Sequence, residues 1–105
     1  MSSNLRPQAF GILRLDDVES DGKQGRPISV GSDRLMALSV QAEPLWFGFV
    51  VAGEGQKIMP GGEQHVGIAF LDEQGARKSF PLHVSILFGN GICSRGTLVL
   101  DRYAD

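Results

Sequence analysis

Turn signals recur so often along this chain that only short elements fit between them. Asp21-Gly22, Gly53-Glu54-Gly55, Gly61-Gly62, Gln74-Gly75 and Asn90-Gly91 divide it into pieces of strand length. Ala9 to Leu15 reads as a first strand, with Phe10 and Ile12 on one face and Leu13 and Leu15 on the other. Pro27 to Val30 is short and opens on proline, which suits a strand start or an edge. Leu35 to Val40 alternates weakly, and Leu45 to Ala52 is aromatic and β-branched. Gln64 to Leu71 sets Val66, Ile68 and Phe70 against His65, Gly67 and Ala69. Phe80 to Phe88 sets Leu82, Val84, Ile86 and Phe88 against His83 and Ser85, and Gly96 to Tyr103 sets Leu98 and Leu100 against Thr97 and Val99. No window of about ten residues carries an apolar stripe of helical period.

Short strands separated by turn signals every ~8–12 residues predict a sandwich or a small barrel. Closure is the favoured form, because a short chain has few other ways to hide its sheet edges. Asn90-Gly91 suits a type I′ turn, in which both central residues take positive φ. It predicts a hairpin pairing Leu82–Phe88 with Ile92–Leu100, and Asp72–Gly75 reads as a further reversal. The expected organisation is a flexible N-terminal arm at 1–8 and one β-barrel domain at 9–105, frayed at Ala104-Asp105.

Composition enters as a set of exclusions. A chain of 105 residues holds one modest core and no separate cofactor domain. A net charge of −2 gives no general attraction to nucleic acid. The single cysteine, Cys93, cannot form an internal disulfide and fits a reducing compartment, so a cytoplasmic protein is expected. No apolar run approaches ~18 residues, and Met1 to Pro7 lacks the apolar stretch of a signal peptide, so no membrane association is expected.

Catalytic chemistry finds little footing. His65 and His83 each lie on a predicted strand, opposite its main apolar set, and read as solvated side chains. Their spacing is not that of a metal pair. Cys93 needs a base to become a nucleophile. His83 is the candidate across the hairpin, which leaves a small hydrolase using Cys93 or His83 as a remote reading. Gly89-Asn90-Gly91 has neither the lysine nor the following helix of a phosphate loop. The run Asp16 to Gly22 departs from a calcium loop and reads as a solvated hairpin loop. No catalysis, cofactor, metal or nucleotide is expected.

Binding is left. Basic residues are scattered, with only Arg77-Lys78 adjacent, although Lys23, Arg26 and Arg34 would converge if their loop folds back. Trp46, Phe47 and Phe49 offer a stacking platform, part of which must be core. Tryptophan is also a frequent anchor of protein interfaces. The candidate partner-binding residues are therefore Arg26, Arg34, Trp46, Arg77 and Lys78. A macromolecular partner is expected, with protein favoured over RNA and self-association as a further possibility.

Three stretches resemble the C-terminal β-barrel domain of bacterial translation elongation factor Tu. The opening strand, its acidic loop and Gly25-Arg26-Pro27-Ile28 are similar to that domain's first strand and Gly-Gly-Arg-x-x-Pro-Phe segment, with Gly31-Ser32-Asp33-Arg34 in place of its Gly-Tyr-Arg-Pro turn. Met59-Pro60-Gly61-Gly62 is similar to the family's Met-Pro-Gly-Asp. Val84 to Gly91 followed by Ile92 to Val99 resembles its closing hairpin. The likeness runs from Ala9 to Tyr103 and implies a closed six-stranded antiparallel barrel standing alone, without the GTPase domain and middle barrel. The departures fall where that family contacts transfer RNA. Its closing-hairpin arginine falls at Gly91, and the turn keeps only Arg34. The resemblance therefore implies a non-catalytic binding module or molecular mimic, with a transfer-RNA-binding accessory protein as the alternative.

Overall fold

Alternation of apolar and polar side chains dictates most of the architecture, and a computed structural model describes residues 6–40 and 44–104 of it. The elements are β1 (Ala9–Leu15), β2 (Ile28–Ser29), β3 (Leu35–Ser39), β4 (Leu45–Val51), β5 (Lys57–Ile58), β6 (Glu63–Phe70), α1 (Glu73–Ser79), β7 (Ser85–Gly89) and β8 (Ser94–Tyr103). Six strands form a closed antiparallel barrel in the order β1-β6-β4-β3-β7-β8, while β2 and β5 make a separate two-stranded ribbon. The all-β small barrel read from the sequence is the observed fold. No helix among the described residues is long and apolar enough to cross a membrane.

Inward positions follow the strand period of two. Leu13 and Leu15, Leu35 and Ala37, Phe49 and Val51, Ile68 and Phe70, Ile86 and Phe88, and Leu98 and Leu100 fill the lumen. Phe49 lies edge-on to Phe88, with ring centroids 6.0 Å apart. Burial of each such side chain contributes about 1.5–3 kcal/mol. One glycine lets a strand and a ring approach. A Cβ at Gly96 would collide with the Arg14 carbonyl and lie 2.9 Å from the Phe88 ring.

The two ends of the barrel are closed differently. At one end α1 lies across the opening. Asp72 caps it by accepting a hydrogen bond from the Gly75 amide at 3.1 Å, and Ala76 turns inward. Phe80, fully buried, stacks on Phe70 at 5.7 Å and meets Phe47 edge-on at 5.3 Å. The Tyr103 hydroxyl donates to the Ala76 and Phe80 carbonyls, at 3.2 and 2.6 Å, and ties β8 to this cap. At the other end the β2–β5 ribbon buries Ile28 and Ile58, and the 16–27 loop folds against it.

Four sequence expectations need correction. The reversal at Asp72–Gly75 is the first turn of α1, a helix too short to display an apolar stripe. His83 does not sit on a strand. β7 begins at Ser85, and His83 leads into it with φ 64°, in the left-handed region. The β7–β8 hairpin forms, but through a four-residue loop, since Gly89 pairs with Ser94 and the Asn90 carboxamide accepts from the Ile92 and Cys93 amides. Of those loop residues only Gly91 has positive φ, so no type I′ turn is made. Lastly, Gln8 belongs to the barrel rather than to an arm. Its backbone N–H donates to the Ile68 carbonyl, its side chain both donates to and accepts from Phe70, and its carbonyl accepts from Ala104, which is therefore not frayed. Residues 1–5 of the expected arm, and Asp105, lie outside the described residues.

Candidate interaction face

The outward positions of β3 and β4 follow from their pairing. Leu38 is opposite Trp46 and Met36 is opposite Gly48, and neither strand contains a charged residue. Lumen-facing positions need to be apolar, but a solvated outer face is ordinarily polar. Here Met36 and Leu38 are half-buried, Val40 is 70% exposed just beyond β3, and Trp46 and Val50 continue the apolar surface on β4. Gly48 carries no side chain, and Leu71, 63% exposed, leans over it. A Cβ there would lie 2.7 Å from the Leu71 Cδ1. The result is a contiguous apolar outer surface centred on Trp46, of the kind that marks interaction sites. Phe47 and Phe49 alternate inward and are the part of the aromatic set that is core, which leaves Trp46 as its outward member.

The other four candidate residues do not form one patch. Arg26 lies at the ribbon end, and Arg34 precedes β3 at that same end. Arg77 and Lys78 lie on α1 at the opposite end, the length of β1 away, about 20 Å. Arg26 forks onto Glu19 at 3.0 and 3.2 Å, and that carboxylate holds its guanidinium pKa above the usual value. Arg77 pairs with Glu73, donates to the Ala104 carbonyl and lies over the Tyr103 ring at 4.9 Å. Arg34 and Lys78 make no ion pair among the described residues. Lys23 sits beside Asp21 rather than joining a basic cluster with Arg26 and Arg34.

The acidic loop holds a group that sequence reasoning missed. Glu19 is 4% exposed and Arg95 7%. Arg95 Nε faces the Glu19 carboxylate at 3.5 Å, and its Nη2 donates to the Arg26 and Pro27 carbonyls at 2.8 and 3.4 Å. The expected solvated loop is instead fastened to the barrel end by a buried ion pair with Arg26 at its rim. No local signal marks this, because Glu19 and Arg95 lie far apart in the chain and meet only through folding.

The chemistry-bearing residues stay separate. Cys93 is in the β7–β8 loop, whereas the His83 amide donates to the Leu100 carbonyl beyond the far end of β7. The unequal offsets of the two residues from the turn carry them apart, so His83 is not a base for Cys93. His65 meets Asp101 at 2.9 Å on the open outer surface, with side chains 60% and 38% exposed, where such pairs contribute little. Among the described residues no three His, Cys, Asp or Glu are grouped to hold a metal. A shallow depression of ≈ 240 Å³, lined by Arg6, Pro7, Gln8, Glu73 and Ala104, is smaller than typical small-molecule sites.

No protein-family model, curated protein or solved structure matches this chain.

Proposed function

We propose that this protein is a non-catalytic β-barrel binding module that engages a protein partner through the outer face of β3 and β4, with Trp46 as the anchor. The observation that carries the reading is the uncharged outer surface of these two strands, continued by the exposed Val40 beyond β3 and Leu71 beyond β6. Tryptophan is enriched among the residues that carry most of the binding energy at protein interfaces. A protein partner is favoured over RNA because the cations are divided between two barrel ends and two of the four are engaged by carboxylates. The proposal includes a relationship to the C-terminal barrel of elongation factor Tu, supported by the motifs near Arg26, Met59 and Asn90 and by a barrel of the same strand number. It also places the protein in the cytoplasm, which its single cysteine supports.

The test is a comparison of retained partners on three immobilised forms: wild type, Val40→Lys/Leu71→Glu, and Arg26→Ala/Arg34→Ala. Both positions of the first variant are exposed, so the fold survives, which circular dichroism checks. The reading expects one protein partner retained by wild type and by the arginine variant and lost from the apolar-face variant. Retention of RNA, falling steeply with salt and lost with the arginines, would replace it with the RNA reading. Sedimentation of the free protein reads self-association through the same face.

A further inference from the structure

The seams of this barrel are unequal. β1–β8, β1–β6, β3–β4 and β7–β8 are held by seven, six, five and five residue pairs. β4–β6 has three, and its line is extended by bonds from the Leu71 amide to Gly48 and from the Ala52 amide to Gly67. β3–β7 has two, Met36 with Gly89 and Ala37 with Phe88. Continuing that register would set Leu38 against Leu87 and Ser39 against Ile86, and neither pair forms. The seam therefore stops halfway, at the side nearest α1.

Two further features fall at the same place. The Ser39 hydroxyl reaches the Ser79 carbonyl at 3.4 Å, near the outer limit of a hydrogen bond. His83, which delivers the chain to β7, is the non-glycine residue with positive φ among those described. A side chain with a Cβ resists that conformation, and such residues collect at switch regions. The missing pairs, the long bond and the strained approach all lie at the α1 end of this seam.

We propose that the β3–β7 seam is a gate. It opens locally from the α1 end, residues 83–87 pivoting away from β3 about their bonds to β8 while β1, β6 and β8 stay paired. Opening uncovers Ile86, which is 4% exposed when the gate is closed, and frees two strand edges. Unpaired edges of this kind accept an extended segment by backbone hydrogen bonding. Closure relies on two residue pairs together with the packing of Phe80 and Ile86.

Native-state hydrogen exchange on the whole protein tests the gate. The seam amides of Met36 and Gly89, which face each other across it, are expected to exchange at least 100-fold faster than the Leu13 and Arg14 amides of the β1 ladders. Their exchange is also expected to depend weakly on added denaturant, the mark of a small opening. His83→Gly relieves strain in the closed form and is expected to slow exchange at the seam several-fold. A second readout uses a Cys93→Ser background. A thiol placed by Ile86→Cys should react with maleimide well before one placed by Leu98→Cys. Equal exchange rates with equal denaturant slopes at the seam and in β1, or equal labelling of the two thiols at the rate of global unfolding, would overturn the gate.

Discussion

Replacing Glu19 by glutamine preserves its shape and removes the charge that Arg95 faces. Arg95 is 7% exposed, and its Nε has no hydrogen-bond partner, only the facing carboxylate at 3.5 Å. Removing one member of a buried pair leaves the other charged and desolvated, which costs about 3–5 kcal/mol. Two features place Glu19→Gln at the lower end. Arg95 keeps the Arg26 and Pro27 carbonyls, and Arg26, whose side chain is 62% exposed, can turn to water. The expected loss is therefore about 3 kcal/mol, a fall in melting temperature of roughly 12–24 °C for a domain of this size. Arg95→Met should cost less, because Glu19 retains the Arg26 fork. The double variant Glu19→Gln/Arg95→Met buries neither charge, so the cycle should give a coupling of at least ~1.5 kcal/mol. Urea unfolding followed by circular dichroism measures all four proteins. A loss below ~1 kcal/mol for Glu19→Gln, or two single losses that simply add, would refute the claim that this ion pair fastens the 16–27 loop.

Four other outcomes follow from the packing. Tyr103→Phe removes the donor to the Ala76 and Phe80 carbonyls and should cost about 1 kcal/mol in thermal melts. Burial raises the Tyr103 pKa above its ordinary 10.0, against the opposing charge of Arg77. The neutral phenol thus contributes stability that is complete below pH 10.0 and lost as pH rises through the higher folded value. The wild type should lose stability faster above that pH than Tyr103→Phe, and parallel pH profiles would contradict the assignment. Gly96→Ala drives a methyl into the Arg14 carbonyl and the Phe88 ring and should leave little soluble folded protein; recovery of a normal melting curve would contradict the close approach. Asp72→Ala uncaps α1 and should cost about 1 kcal/mol in chemical unfolding, with a null effect arguing against the cap.

The barrel is legible in the sequence because its strands obey the two-residue period wherever one face meets water. Val66, Ile68 and Phe70 on β6, and Leu98 and Leu100 on β8, announce their burial in this way. β4 is harder, since Trp46 and Phe47 are both apolar and only the closed ring settles which points inward. α1 escapes detection because a seven-residue helix with one buried side chain, Ala76, has no period to display. The candidate residues suffer from the same locality. Arg26 and Arg34 are near neighbours in sequence and share one barrel end, but Arg77 and Lys78 are carried to the other by the three traverses of β3, β4 and β6, which no composition argument tracks. Glu19 reads as one more solvated acid until Arg95 arrives beside it.

The bond from the Ala104 amide to the Gln8 carbonyl, 2.8 Å long, has a topological consequence. The strands flanking it, β1 and β8, are neighbours in the ring, so the barrel begins and finishes at a single point on its rim. A host protein can therefore carry this barrel as an insert between two adjacent residues without stretching either side. By the same geometry, bridging Gln8 to Ala104 with a short linker and reopening the chain at Asp21-Gly22 reorders the sequence while every strand keeps its neighbours.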